Sequence, residues 1–208
     1  METRVLNLKD QNLYSDHIAE AACALRKGKL VAFPTETVYG LGACRDHTKA
    51  VERIYKLKKR VEEKRLTLMI ADADDVKKYV DHFSSTARKL MKFFWPGPLA
   101  IIFPLKNGTD ISIRFPDDTA ARDLIRTAKI PIVTTSANIS GYPPSTDAQQ
   151  VLMDFKGKIH VILDGGSTRF RSPSTVLKLK DEGFEIIRPG IISETMIRSC
   201  LENTFVRV

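Results

Sequence analysis

Short apolar runs alternate with amphipathic stretches along almost the whole chain, and this alternation restricts the available folds more than any other feature. Val51, Ile54 and Tyr55 share one face of a helical pattern, whereas residues 30–33, 100–103 and 130–133 are compact apolar runs bounded by Gly, Pro or polar residues. The first pattern marks an amphipathic helix and the second a buried strand. The spacing predicts helices over 15–27, 47–59, 74–80, 85–94, 118–128 and 147–155, with a last one from Ser193 to about Glu202. Strands are expected over 29–33, 66–70, 100–103, 111–115, 130–134, 159–163, 175–179 and 184–187. Ser15 and Ser193 are candidate N-caps, Gly28 a helix stop, and Thr146 with Gln149 a capping box. Alternating helices and strands that end in hairpin strands give an α/β fold with a mixed, twisted sheet. Residues 1–208 read as one domain, with its core over about 13–192 and a helical C-terminal segment over 193–208.

Three segments at the ends of these elements carry chemistry. The first, FPTETVYGLG from Phe33 to Gly42, crowds hydroxyls into a stretch too irregular for a helix. Pro34 removes a ladder donor, and Gly40 and Gly42 permit close backbone approach. Thr35, Thr37 and Tyr39 supply neutral donors and acceptors, with Glu36 the only charge. By itself the segment suits a β-hairpin as well as a binding loop, and Tyr39 suits packing as well as ligand contact. The second, TTSANISG from Thr134 to Gly141, follows an apolar strand, and in α/β sheets ligands sit beyond the carboxyl ends of strands. The third is the basic clump Lys58-Lys59-Arg60 with Lys64 and Arg65, which also suits a solvated helix C-terminus.

Charge and absent motifs narrow the classes. A formal net charge of +8 favours anionic partners, whether nucleotide, nucleic acid or acidic lipid. No apolar run approaches the roughly 20 residues that span a bilayer, and METRVLNLKD is charged where a signal peptide is apolar, so no membrane partner and a cytoplasmic location are expected. Cys23, Cys44 and Cys200 are far apart and odd in number, which suits reduced thiols, and neither they nor the four histidines show metal-ligand spacing. No structural zinc is expected. GxxxxGK[ST] and GxSxG are both missing, which argues against a P-loop and against a covalent hydrolase.

The order of the three segments, together with FWPGPL at Phe94–Leu99, Arg114 before Phe115-Pro116, Ser174-Thr175-Val176 and Arg188-Pro189-Gly190, resembles the YrdC-type threonylcarbamoyl-AMP synthase family from about Leu13 to Ile192. The resemblance implies one twisted sheet bent around an electropositive cavity. It also implies synthesis of L-threonylcarbamoyl-AMP and pyrophosphate from L-threonine, bicarbonate or CO2 and ATP. That product serves the threonylcarbamoyl group of adenosine 37 in tRNA and passes to a threonylcarbamoyl-transferase complex. Lys58 and Arg60 match the K-x-R pattern and would clamp the triphosphate as the catalytic pair, Ser136 and Asn138 match S-x-N and would hold the nucleotide, and Arg188 and Lys64 would contact ATP too. Thr35, Arg114, Thr134 and Ser174 fall where the family lines its threonine pocket, with the Arg114 fork suited to a carboxylate. Mg²⁺ would arrive with ATP, held largely by the triphosphate, and no metal site on the protein is implied.

The chain departs from the family in two places. Many members read RPxxxPL after the lysine, whereas residues 60–66 here read RVEEKRL, losing both prolines and leaving a looser, more basic loop. Pro144-Ser145 reverses the common serine–proline order. The alternative function, from a different class, is a basic RNA-binding module that takes backbone phosphates in the same cavity, and weak tRNA binding is compatible with either. A carbamoyl-transfer domain resembles this cavity as well, but within larger chains.

Overall fold

The computed structural model describes residues 2–61, 65–180 and 183–202. Its strands are β1 (Arg4–Asn7), β2 (Val31–Phe33), β3 (Gly40–Cys44), β4 (Thr67–Met69), β5 (Leu99–Pro104), β6 (Asp110–Arg114), β7 (Ile132–Ser136), β8 (Val161–Asp164), β9 (Thr175–Leu179) and β10 (Phe184–Arg188). They form one ten-stranded sheet in the order β1-β8-β2-β3-β7-β4-β6-β5-β9-β10. Four pairings are parallel, β1 and β2 on β8, β4 on β6 and β5 on β9, and the others are antiparallel, so the sheet is mixed as expected. The helices are α1 (Tyr14–Arg26), α2 (Thr48–Lys58), α3 (Ser85–Phe94), α4 (Thr119–Ala128), α5 (Ala148–Phe155) and α6 (Glu194–Leu201).

Register decides where the open face lies. Ala43, Val133, Leu68, Ile113, Ile101 and Leu177 form one cross-strand row of apolar side chains. Helices α2 and α5 cover one part of that face and α3 and α6 the rest. On the opposite face α1 and α4 cover Val31, Phe33, Ile132 and Val161. Beyond that cover the same face continues through Thr67, Ser112, Arg114, Ile102, Val176 and Lys178, which line a cavity instead of a core. Alternation along β6 thus sends Ile111 and Ile113 to the α3/α6 core and Ser112 and Arg114 to the cavity.

Several local expectations are corrected. Helix α1 begins at Tyr14 after Leu13, with no side-chain cap, so Ser15 lies inside it. The capping box sits one residue later than expected: the Asp147 carboxylate accepts from Gln150 N, and the Gln150 amide oxygen accepts from Thr146 N. The predicted helix over 74–80 is a 3₁₀ segment, Ala73–Lys78, with Asp72 as its cap. Two strands were not expected, β1 and β3, and β7 runs two residues further than predicted, so Thr135 and Ser136 belong to the sheet. Ser193 does cap α6, accepting from Met196 N.

Candidate active site

The cavity on the open face has a volume of about 580 Å³. Its wall includes Thr35, Arg60, Arg114, Thr134, Ser136, Ser174 and Arg188, seven of the expected site residues, brought from six separate segments of chain. Thr134 and Ser136 alternate onto this face opposite Gly42 and Gly40, where the ring of Phe33 packs: a Cβ on Gly42 would come within 2.9 Å of it. Gly190 has a similar duty: a Cβ there would overlap the backbone of Ser174 and Thr175, so only glycine lets the chain after Arg188 fold against the start of β9. That approach lets Arg188 Nη2 donate to Ser174 O and Oγ, at 2.5 and 3.0 Å. The Ser174 hydroxyl keeps its own proton for the cavity.

The loop between β2 and β3 is held by a directed chain of hydrogen bonds. Arg114 Nη2 donates to Glu36 Oε1 at 2.7 Å and to Thr37 Oγ1 at 2.9 Å, and its Nε donates to Gly97 O at 3.3 Å. Thr35 gives its hydroxyl proton to Val38 O at 2.7 Å, which leaves Thr37 as the donor in the 2.8 Å contact between the two hydroxyls. Thr35 also accepts from the backbone N–H of Thr37 and of Val38. It therefore lines the cavity with its hydroxyl proton already committed to Val38 O. Tyr39 resolves toward packing: its ring is fully buried, its hydroxyl donates to Gly166 O and accepts from Gly165 N, and burial, followed by the charge of Asp164, raises its pKa.

Two expected nucleotide contacts are turned away from the cavity. Lys58, 1% exposed, sends its ammonium to Ser136 O and Asn138 O at 2.5 Å and to Asn138 Oδ1 at 3.3 Å. Desolvation, and after it the charge of Arg60, lowers its pKa to about 7. Asn138 gives its amide protons to Ile139 O and Tyr142 O. In this structure both side chains hold the turn after β7 in place of facing a ligand, and the reason is steric and electrostatic: Lys58 is the last residue of α2, aimed at a cluster of carbonyl oxygens. Ser145 does the same, donating to Ala137 O. Lys64 lies outside the described residues.

Positive charge converges on what remains. Arg188 has its pKa lowered to about 10, chiefly by loss of water and then by the charges of Arg114 and Arg60. Burial lowers that of Arg60 as well. Three guanidinium groups around one cavity, two of them pressing on the third, make a site for an anion. Residues that sequence reasoning missed here include Thr67 and Ser112, whose hydroxyls lie 3.0 Å apart, and the pair Lys178 and Asp110 at 2.7 Å. Their signal was the period-two alternation of β4, β6 and β9.

Comparison with known proteins was decisive at this point. The family model Sua5_yciO_yrdC, described as "Telomere recombination", matches residues 23–190. The chain belongs to the Sua5/YciO/YrdC family. Two relatives named threonylcarbamoyl-AMP synthase are similar to it: one from Bacillus subtilis, 41% identical over 194 residues, and one from Pyrococcus abyssi, 40% identical over 197 residues. The alignments take in 88% and 90% of this chain but 56% and 58% of those proteins, so the chain spans little more than half of their length. Among solved structures, P. abyssi Sua5 complexed with L-threonine superposes with a TM-score of 0.89 at 37% identity, covering 96% of this chain and 61% of that one. The likeness bears out the family and the fold expected of a Sua5/YciO/YrdC chain. Among the described residues no helix is long and apolar enough to cross a membrane, and no group of three or more His, Cys, Asp or Glu side chains could hold a metal ion.

Proposed function

We propose that this chain is an ATP-dependent L-threonylcarbamoyladenylate synthase, a nucleotidyltransferase acting in the cytoplasm on the path to threonylcarbamoyl-adenosine 37 of tRNA. The observation that carries this reading is the convergence of Arg60, Arg114 and Arg188 on one hydroxyl-lined cavity. Its volume of about 580 Å³ suits small molecules better than an RNA backbone, which favours the synthase over the RNA-binding alternative. The likeness to a protein solved with L-threonine supports an amino-acid subsite.

In this reading Arg114 takes the threonine carboxylate through Nη1, the nitrogen that Glu36, Thr37 and Gly97 leave open. Ser174 and Thr134 face the ligand hydroxyl. The zwitterion loses a proton from its ammonium to solvent, and the free amine captures CO2 as a carbamate, whose added negative charge the nearby arginines favour. A carbamate oxygen then attacks the α-phosphorus of ATP, the bond to the β-phosphate oxygen breaks, and pyrophosphate leaves. Arg60 and Arg188 stabilise charge on the triphosphate, and no protein nucleophile is needed. Lys58 and Asn138 serve by fixing the turn that carries Ser136. Mg²⁺ belongs to the nucleotide: hydroxyls and arginines dominate the wall, a donor set suited to a metal that the triphosphate and water already hold. The product goes to a threonylcarbamoyl-transferase complex.

Pyrophosphate release tests the reading. It is expected to require ATP, L-threonine, bicarbonate and Mg²⁺ together, with serine slower than threonine by about 10- to 200-fold, the range that one methyl group commands. Valine, which leaves the hydroxyl-binding groups unpaired, should be slower still. Equal rates with the three amino acids, or full release without any, contradict the proposal.

A further inference from the structure

The reaction proposed above makes no use of Glu36, although this is a buried carboxylate one bond from the cavity wall. Its side chain is 1% exposed, Oε1 accepts from Arg114, and Oε2 is sealed from solvent without a hydrogen-bond partner among the described residues. Buried polar oxygens are almost always satisfied, so a half-paired carboxylate here calls for a reason. The geometry of Arg114 supplies one. Its Nη2 and Nε are committed to Glu36, Thr37 and Gly97, and Nη1 has no partner among the described residues, which leaves that one nitrogen for the cavity. Arg188, by contrast, bonds among the described residues to neutral oxygens of Ser174 only, so no carboxylate among them screens its charge. The cavity is therefore uneven, strongly positive at Arg188 and screened at Arg114.

We propose that Glu36 is a positioning residue that sets ligand preference through Arg114, holding the guanidinium in place and screening its charge so that this end of the cavity takes a zwitterionic amino acid in preference to a phosphate-bearing anion. A zwitterion brings no net charge. A neutral arginine–carboxylate pair can meet its carboxylate with directional hydrogen bonds without driving off its ammonium, whereas a bare arginine beside two others would favour the stronger anion. The amino acid's identity rests on the function proposed above. The screening of Arg114 does not.

Glu36→Gln is the test, because glutamine keeps the shape and an acceptor oxygen while removing the charge. Wild type, Glu36→Gln, Arg114→Gln and the double variant are titrated calorimetrically with L-threonine and, separately, with inorganic phosphate. Phosphate should bind Glu36→Gln about tenfold more tightly than wild type, a fraction of what a unit charge a few ångströms away exerts. Threonine affinity should change by no more than about threefold, and the gain for phosphate should vanish when Arg114 is already glutamine. Unchanged phosphate affinity, a gain that persists without Arg114, or equal weakening of both ligands, as a merely structural role would give, overturns the proposal. A wild type that binds no threonine sinks the proposed function, and the phosphate arm still decides the role of Glu36. Should Glu36→Gln fail to fold, Glu36→Asp, which weakens the pair by shortening its reach, is expected to show a smaller phosphate gain, and no gain there overturns it equally.

Discussion

Lys58 and Arg60 stand two residues apart in one basic run, yet the fold gives them opposite duties. Arg60 faces the cavity, whereas the Lys58 ammonium is buried against three oxygens of the turn after β7. Arg60→Ala should lower turnover by about 100-fold, the cost of losing one donor that stabilises charge in a transition state, and leave stability within about 1 kcal/mol. Lys58→Met should act through the fold, stranding buried acceptors at a cost of about 2–4 kcal/mol in urea unfolding. A Lys58→Met protein as stable as wild type would show that the turn does not need its anchor. From sequence the two residues were indistinguishable, because a cation at a helix C-terminus says nothing about whether it points along the axis into carbonyls or out toward solvent. The family resemblance put Arg114 forward as a carboxylate partner, but its engagement with Glu36, 78 residues away, required the tertiary structure.

At the scale of elements, short-range rules recovered what local chemistry controls. Helix α3 matches its predicted span, and α4 starts where Asp118 accepts from Ala121 N. Strand β3 escaped notice because Gly-Leu-Gly lacks the β-branched signal, and it exists because β2 and β7 pair with it from both sides. The Asp118 cap carries a pH signature. Desolvation raises its pKa to about 6, the Ala121 N–H opposes that, and the nearby charge of Glu36 adds to it. Between its ordinary range near 4 and about 6 the folded state binds more protons than the unfolded one, so this group's stabilisation is complete at low pH and is lost as pH rises through 6. Asp118→Asn, which still caps α4, should flatten that part of the stability profile between pH 4 and 6 in denaturant unfolding. A slope identical to wild type would mean that the carboxyl titrates normally.

For the whole molecule, the decisive arrangement is a sheet that, among the described residues, four helices cover on one face and two on the other. The sequence pattern carried the α/β class and the mixed sheet, but strand order was beyond it, since the partners β1 and β8 or β3 and β7 meet across 88 or more residues. The open face follows from that order: it runs β3, β7, β4, β6, β5 and β9 side by side, so hydroxyls and arginines from distant segments share one wall. The central claim is that this wall joins three small molecules. Incubation with ¹³C-bicarbonate, L-threonine, ATP and Mg²⁺, followed at once by mass spectrometry, tests it most directly. The predicted result is a labelled adduct containing threonine, one carbon from bicarbonate and AMP, formed only when all three substrates are present, and pyrophosphate release without that adduct would contradict it.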